Sequence, residues 1–365
     1  MRILQIIHDR ERGGVDKLAA MIEAGLASHG ATLETAYLYP GLGFSIAAKL
    51  ARVFAMVRRL WRGDYDALVA YQSTASILVG AVGWLAGCRL RVVHQTCTPS
   101  ETPRPLRLMD KLVGTLGLYS ANIINSAATW TEFARYPARY RRSMILIEHG
   151  LDAPTPTQSR AATLRRFGLP PSQPILLNVG RLTAQKNQDV LVRALACQPR
   201  AQLVIAGGGL ERDSLHDLAV TLGVDNRLHM LGPLPPDDIA DLYAAADLFV
   251  FPSTWETFGL AAAEAAMAGM PMVVADLPVL REVLHANGGE PVAFVAPHDL
   301  EGWISAIGAA LARPAPRTAE FARSIRRKYS RQRMIESYLS LFEVHRPLER
   351  RELPGLQPAA EKVQP

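Results

Sequence analysis

The sequence predicts an α/β protein built from two parallel-sheet domains, and three observations carry that expectation. Short apolar runs alternate with helical patterns along most of the chain, the mark of βαβ units. A second series of such runs starts at Pro174, and His149–Thr157, with one Gly, two Pro and polar residues, reads as the linker before it. The length of 365 residues fits roughly two domains of about 150 residues each.

In the first half, residues 2–7 form an apolar strand. Asp9-Arg-Glu-Arg-Gly-Gly-Val-Asp-Lys17 then opens a helix that runs to Ser28 and stops at Gly30. Gly13 and Gly14 at the helix mouth leave the backbone open to a diphosphate or an acceptor, although most such pairs are only turns. The spacing is not GxGxxG, so a nicotinamide dinucleotide is not expected. Further strands are expected at Leu33–Leu38, Ala67–Tyr71, Leu90–His94, Ala121–Asn125 and Met144–Glu148. His94 ends its strand and should project toward the sheet's carboxyl edge, where open α/β sheets place ligands, although a histidine there is more often structural. Ser100–Arg107 reads as a flexible loop.

Between the second and third strands lies the helix Lys49–Arg62. Leu50, Val53, Phe54, Val57 and Trp61 share one stripe of it, with Arg52, Arg58, Arg59 and Arg62 around them. A basic helix with a large aromatic on its apolar face fits peripheral contact with an anionic bilayer. It also fits the outside of the sheet, with the charges in water.

In the second half, Pro174–Arg181 is a buried strand that delivers Arg181, and Lys186 follows in Leu182–Asn187. Two cations at a strand's carboxyl end suit a diphosphate, the guanidinium as a bidentate fork and the ammonium as a mobile point charge, while the segment by itself fits two solvated loop cations better. Asp247–Phe251 is another buried strand, with Pro252 and Ser253 turning the chain after it. A helix then runs from Phe258 or Gly259 to Ala268, before the stop at Gly269 and Pro271. Glu256 therefore sits in the strand-to-helix loop, and Glu264 lies more than a turn inside the helix. Free N–H groups at Gly259 favour an anion. Two carboxylates around a phosphate-sized anion would hold a sugar nucleotide; an ordinary turn with one solvated and one helix-face glutamate fits the local pattern as well.

Bulk properties narrow the classes. A hydrophobic share of 49% with 20% charged residues describes a globular chain with a sizeable core. The net charge of +6 points to anionic partners. Nucleic acid is disfavoured among them, because the cations are spread out and no basic aromatic module is present. Three cysteines without metal-ligand spacing indicate a reducing, cytoplasmic setting. The longest apolar run, Ala75 to Cys88, is shorter than the roughly 18–20 residues of a membrane span, so a soluble or peripheral protein is expected.

Glu256 and Glu264 are eight apart with Phe258-Gly259-Leu260 between them. This resembles the E-x7-E signature of the family-4 retaining glycosyltransferases, whose GT-B fold sets two Rossmann-like domains face to face. Gly180-Arg-Leu-x-x-Gln-Lys186-Asn, about 75 residues upstream, resembles that family's diphosphate-binding segment, and Gly13-Gly14-Val-Asp-Lys17 its first cleft loop. The resemblance is closer over 172–300 than over 31–150. It departs at His149, where the family usually has Asn, and at Glu290-Pro291, which replaces a glycine-rich approach.

What the resemblance implies is specific. Residues 1–151 would form the acceptor-side domain, 152–171 the linker and 172–325 the donor domain. Residues 326–345 would be a helix crossing back to the first domain, with a polar, Pro-rich disordered tail at 346–365. The chain would move a sugar from a nucleoside-diphosphate sugar to a hydroxyl of a saccharide or lipid-linked acceptor, with retention, by family habit in bacterial surface polysaccharide synthesis. Arg181, Lys186, Glu256 and His94 would be catalytic. Gly13, Gly14, Gly180, Phe258, Gly259, Leu260 and Glu264 would bind the donor, Glu256 facing the sugar hydroxyls and Glu264 the ribose. There is no Asp-x-Asp motif, and neither a metal nor a cofactor is expected. A relative that hydrolyses or epimerises a nucleotide sugar, or a non-catalytic binding subunit, would keep the same side chains.

Overall fold

The structure, a computed structural model, describes residues 1–9, 14–41, 44–285 and 291–344. Gly13, Glu290 and the expected tail at 346–365 lie outside the described residues. The first half holds strands β1 (Arg2–Asp9), β2 (Thr32–Tyr39), β3 (Ala67–Tyr71), β4 (Leu90–His94), β5 (Ala121–Ile124) and β6 (Met144–Leu146). Its helices are α1 (Gly14–Ala27), α2 (Ile46–Arg62), α3 (Ser73–Leu85), α4 (Arg104–Thr115), α5 (Ala127–Glu132) and α6 (Ala138–Arg141). The second half holds β7 (Ile175–Val179), β8 (Gln202–Ala206), β9 (Leu228–Gly232), β10 (Leu248–Phe251), β11 (Met272–Ala275) and β12 (Val292–Val295). Its helices are α7 (Arg160–Arg166), α8 (Gln188–Ala196), α9 (Arg212–Thr221), α10 (Pro236–Ala245), α11 (Leu260–Met267), α12 (Pro278–Leu284), α13 (Leu300–Ala312), α14 (Ala319–Lys328) and α15 (Arg331–Val344).

These strands make two six-stranded sheets in the orders β2-β1-β3-β4-β5-β6 and β12-β11-β10-β7-β8-β9, with each neighbouring pair of strands running parallel. This is the two-domain α/β architecture that the sequence predicts. Parallel strands are covered on both faces, which is why they read as unbroken apolar runs; all five residues of β3 are buried. Side chains alternate across β1: Ile3 and Ile7 pack with Leu18 and Ile22 of α1, while Leu4 and Ile6 pack with Met56, Leu60, Val79 and Val113 beneath α2, α3 and α4.

Three local expectations differ from the structure. Ser100–Arg107 is not a loop throughout, because α4 begins at Arg104. Pro105 is tolerated in that first turn, where no intrahelical N–H is required. The α2 stripe is split: Met56 and Leu60 are buried and Val53 and Val57 partly so, while Leu50, Phe54 and Trp61 face outward. Finally, α2 starts three residues early at Ile46, because the Ser45 hydroxyl accepts from the Ala48 N–H at 3.3 Å and caps it.

The chain runs between the domains along two adjacent paths. Leu151 N–H donates to the Tyr329 carbonyl at 2.8 Å, and Leu151 pairs with Ser330 in a parallel bridge. From there α15 packs on α1 of the first domain; a Cβ at Gly25 would collide with Ile335. Sheet order reverses between β1 and β3 in one domain and between β7 and β10 in the other, so each sheet has a crevice at its carboxyl edge at that point.

Candidate active site

The loops carrying the expected cations and carboxylates leave β7 and β10, the strands that flank the reversal in the second sheet. Backbone bonds sew them together. The Gln185 carbonyl accepts from the Thr254 N–H at 2.8 Å and from its hydroxyl at 3.2 Å, while Gln185 Nε2 donates to the Trp255 carbonyl at 3.0 Å. Asn187, at φ 53°, donates from Nδ2 to the carbonyls of Pro252 at 3.1 Å and Pro297 at 2.8 Å. Thus Lys186 and Glu256, 70 positions apart, form an ion pair with side chains only 15% and 9% exposed. Lys186 Nζ also lies 5.0 Å from the centroid of the Phe251 ring. Arg181 is exposed at the start of the same loop. Gly180 lies beneath the Lys186 stem, and a Cβ at neighbouring Gly207 would fall inside the Gly180 carbonyl.

Gly259 begins α11 at φ +84°, a conformation only glycine adopts freely, and no side chain caps the first-turn N–H groups there. Leu260 then reaches across to the first domain: a Cβ on Gly14 would lie 2.7 Å from Leu260 Cδ1. Gly14 therefore lets the two domains approach as well as leaving backbone open. Glu264 is buried on the next turn. One carboxylate oxygen pairs with Lys17 Nζ of α1, and the other accepts from the Tyr243 hydroxyl at 3.2 Å.

The remaining predicted residues are placed differently. The Phe258 side chain is buried between the rings of His149 and Tyr329, with centroids 5.0 Å away in each case, so only its backbone borders the anion site. His94 ends β4 as expected but is buried against Tyr71, at a centroid distance of 4.4 Å, and its Nε2 lies 3.3 Å from the Tyr338 hydroxyl of α15. Burial, with His149 nearby, pulls its pKa down to about 3. No described hydrogen bond joins His94 to Lys186 or Glu256.

Several contributors had no individual role assigned from the sequence. Lys17, Tyr243, Gln185 and Asn187 hold the acidic and basic side chains in place, and their partners lie too far along the chain for a local pattern to reveal. The Thr257 carbonyl accepts from Ser126 Oγ at 2.9 Å and Thr129 Oγ1 at 3.1 Å, which ties the Glu256 loop to the first domain. Glu282 accepts from the N–H groups of Ala127 at 2.8 Å and Ala128 at 2.7 Å on the same boundary. His149 sits at its centre: Asn125 Nδ2 lies 3.0 Å from its Nε2, its Nδ1 is buried without a partner, and burial holds its pKa at about 4. Among the described residues, no group of three or more His, Cys, Asp or Glu is arranged to hold a metal ion.

Comparison with known proteins identifies the family and the fold. Residues 159–328 match the family model described as glycosyl transferases group 1. The D-inositol 3-phosphate glycosyltransferase of Nocardia farcinica is 31% identical over 328 residues, covering 81% of this chain and 71% of the relative. Among solved structures, a sucrose-phosphate synthase from Thermosynechococcus elongatus superposes with a TM-score of 0.78 at 19% identity, covering 94% of this chain and 98% of that one. The Anabaena protein HepE, in complex with UDP and glucose, gives a TM-score of 0.78 at 21% identity, covering 94% of this chain and all of its own. The chain belongs to the group 1, family-4-type glycosyltransferases of GT-B fold, enzymes that transfer a sugar from a nucleotide sugar.

Proposed function

We propose that this enzyme transfers a sugar from a nucleoside-diphosphate sugar to a hydroxyl of a lipid-linked or growing surface-polysaccharide acceptor, with net retention at the anomeric carbon. The Lys186–Glu256 pair carries the reading. A neutralised, nearly buried cation and carboxylate stand beside the uncapped first turn of α11, with Glu264 one to two turns deeper. A diphosphate at the helix mouth would draw Lys186 away from Glu256 and leave that carboxylate free for the sugar hydroxyls. Glu264 would take the ribose hydroxyls.

As the bond from the anomeric carbon to the diphosphate oxygen breaks, negative charge grows on the leaving group. Arg181, Lys186 and the N–H groups after Gly259 would stabilise it, an electrostatic contribution that is commonly the largest single one in catalysis. The acceptor oxygen then bonds to the anomeric carbon from the face the diphosphate leaves, and a phosphate oxygen of the leaving group takes its proton. His94, neutral at physiological pH, is assigned to positioning through Tyr338 rather than to proton transfer. These groups neutralise the diphosphate charge that a metal would otherwise neutralise, and we assign no metal or cofactor to the step.

A second reading of the acceptor follows from the name of the Nocardia relative, a glycosyltransferase for a phosphorylated polyol. One experiment separates the two. Nucleoside-diphosphate release is measured over a panel of sugar nucleotides, alone, with a membrane-lipid extract and with an inositol phosphate, using Glu256→Ala as the blank. Release that requires the extract supports the lipid-linked acceptor, and release that requires the inositol phosphate replaces it. Donor binding without release under any condition would refute transfer. The anomeric proton coupling of the product reports retention.

A further inference from the structure

We propose that the outer face of the helical layer formed by α2, α3 and α4 is a docking surface for an anionic lipid bilayer, presenting the acceptor half of the cleft to the membrane. The inference rests on the lipid-linked reading of the acceptor and extends it from one helix to a built surface. These three helices lie side by side on one face of the first sheet, α3 between α2 and α4. Each buries one side on the sheet, and each also turns large apolar side chains, 47–79% exposed, to the outside.

On α2 the outward set is Ile46, Leu50, Phe54 and Trp61, which fall within about 80° of one another at 3.6 residues per turn. This stripe lies beside the Met56–Leu60 face that packs on the sheet, so it is additional to the core contact. On α4 Leu108, Met109 and Leu112 form a second stripe, opposite buried Asp110, Val113 and Gly114. Trp84 and Leu85 end α3 between them. A monomeric soluble surface seldom gathers this much apolar area on neighbouring elements without a partner.

Charge identifies the partner. Helices α2, α3 and α4 themselves carry eight Lys and Arg against one acidic residue, the buried Asp110. A second copy meeting the same face across a two-fold axis would bring two positive surfaces together. An anionic bilayer accepts both features: Trp, Phe and Leu enter the headgroup boundary while Lys and Arg remain at the negative surface. In a parallel sheet the helices start at the carboxyl edge of the strands, so the start of α2 lies toward the cleft. No described helix is long and apolar enough to cross a membrane, and surface attachment does not need one.

Co-sedimentation with phosphatidylcholine vesicles, with and without about a third phosphatidylglycerol, tests the surface in the full chain. The anionic vesicles are expected to retain the protein at least tenfold better than the neutral ones, with release in high salt. Phe54→Glu with Trp61→Glu on α2, and separately Leu108→Glu with Leu112→Glu on α4, should each lower retention at least tenfold. Arg58→Gln with Arg62→Gln gives a milder variant that leaves the apolar stripe intact and should weaken binding severalfold. Unchanged melting temperatures exclude misfolding as the cause. No preference for anionic vesicles overturns the proposal, as does undiminished binding of the α4 variant, or a dimer that these substitutions split. Nucleoside-diphosphate release with the membrane-lipid extract is read in parallel: release with no binding to anionic vesicles removes the surface but keeps the transferase, and no release with intact vesicle binding does the reverse.

Discussion

Lys17 of α1 and Glu264 of α11 form an ion pair across the cleft, although 247 positions separate them. Their side chains are 41% and 11% exposed, so the carboxylate is the buried partner and the lysine the movable one. With Tyr243 on the other oxygen, both carboxylate oxygens are engaged before any ribose arrives.

Lys17→Met should therefore separate binding from chemistry. Removing the lysine leaves a mostly buried carboxylate with Tyr243 alone, which is expected to cost about 1 kcal/mol of stability in the ligand-free enzyme. It should also lower the donor KM two- to fivefold with kcat little changed, the pattern of a group that competes in the ground state. Steady-state kinetics and a melting curve check both effects; a drop in kcat with unchanged KM would instead place Lys17 in the transition state.

Glu256→Ala or Lys186→Ala should reduce turnover by two or more decades, the scale of losing one preorganised electrostatic group. Because the two side chains touch, the double variant should lose much less than the product of the single losses. Near-normal turnover in either single variant would remove the anion clamp from the mechanism.

Gly14→Ala probes closure of the domains. The added methyl meets the end of the Leu260 side chain at 2.7 Å, and that side chain can move, so a loss of up to about tenfold in kcat/KM is expected with stability little changed. Adding Leu260→Ala should return most of the activity. A Gly14→Ala enzyme with full activity would show that this contact is not kept during turnover.

Acid should loosen the domain boundary. His94 and His149 titrate near 6.5 in the unfolded chain but at about 3 and about 4 when buried. Between those values the unfolded state binds the extra protons, so stability is full above pH 6.5 and falls as pH drops toward the folded values. At pH 5 each histidine would cost about 2 kcal/mol, at about 1.4 kcal/mol per unit. His149→Asn, which restores the family's usual residue, should remove its share and flatten the melting temperature between pH 7 and 5. A wild-type melting temperature that is flat over this range would refute the assignment.

Much of this molecule follows from local pattern. Unbroken apolar runs such as Ala67–Tyr71 are what a strand covered on both faces must contain, and the structure has that strand with the same bounds. The helix stops expected at Gly30 and Gly269 coincide with positive φ angles, because a left-handed residue that ends a helix is easiest without a Cβ. The E-x7-E spacing and the Gly180–Asn187 segment are likewise legible, since each lies on one strand-to-helix connection.

Tertiary structure alone decided the rest. Lys186 meets Glu256 because β7 and β10 are neighbours in a sheet whose order is not the chain order, and no local period encodes that adjacency. The α2 stripe read as one face because helical spacing groups Val53 and Val57 with Leu50, Phe54 and Trp61, but contact with the sheet reaches only one edge of it. His149 looked like a neutral exchange in a linker. Its importance comes from three segments converging on it, Asn125 from the first domain, Phe258 from the Glu256 loop and, behind Phe258, Tyr329 from the returning chain. Sequence pattern reports which side chains seek burial; which partner they find is set by how the two sheets and the helix that returns between them close on one another.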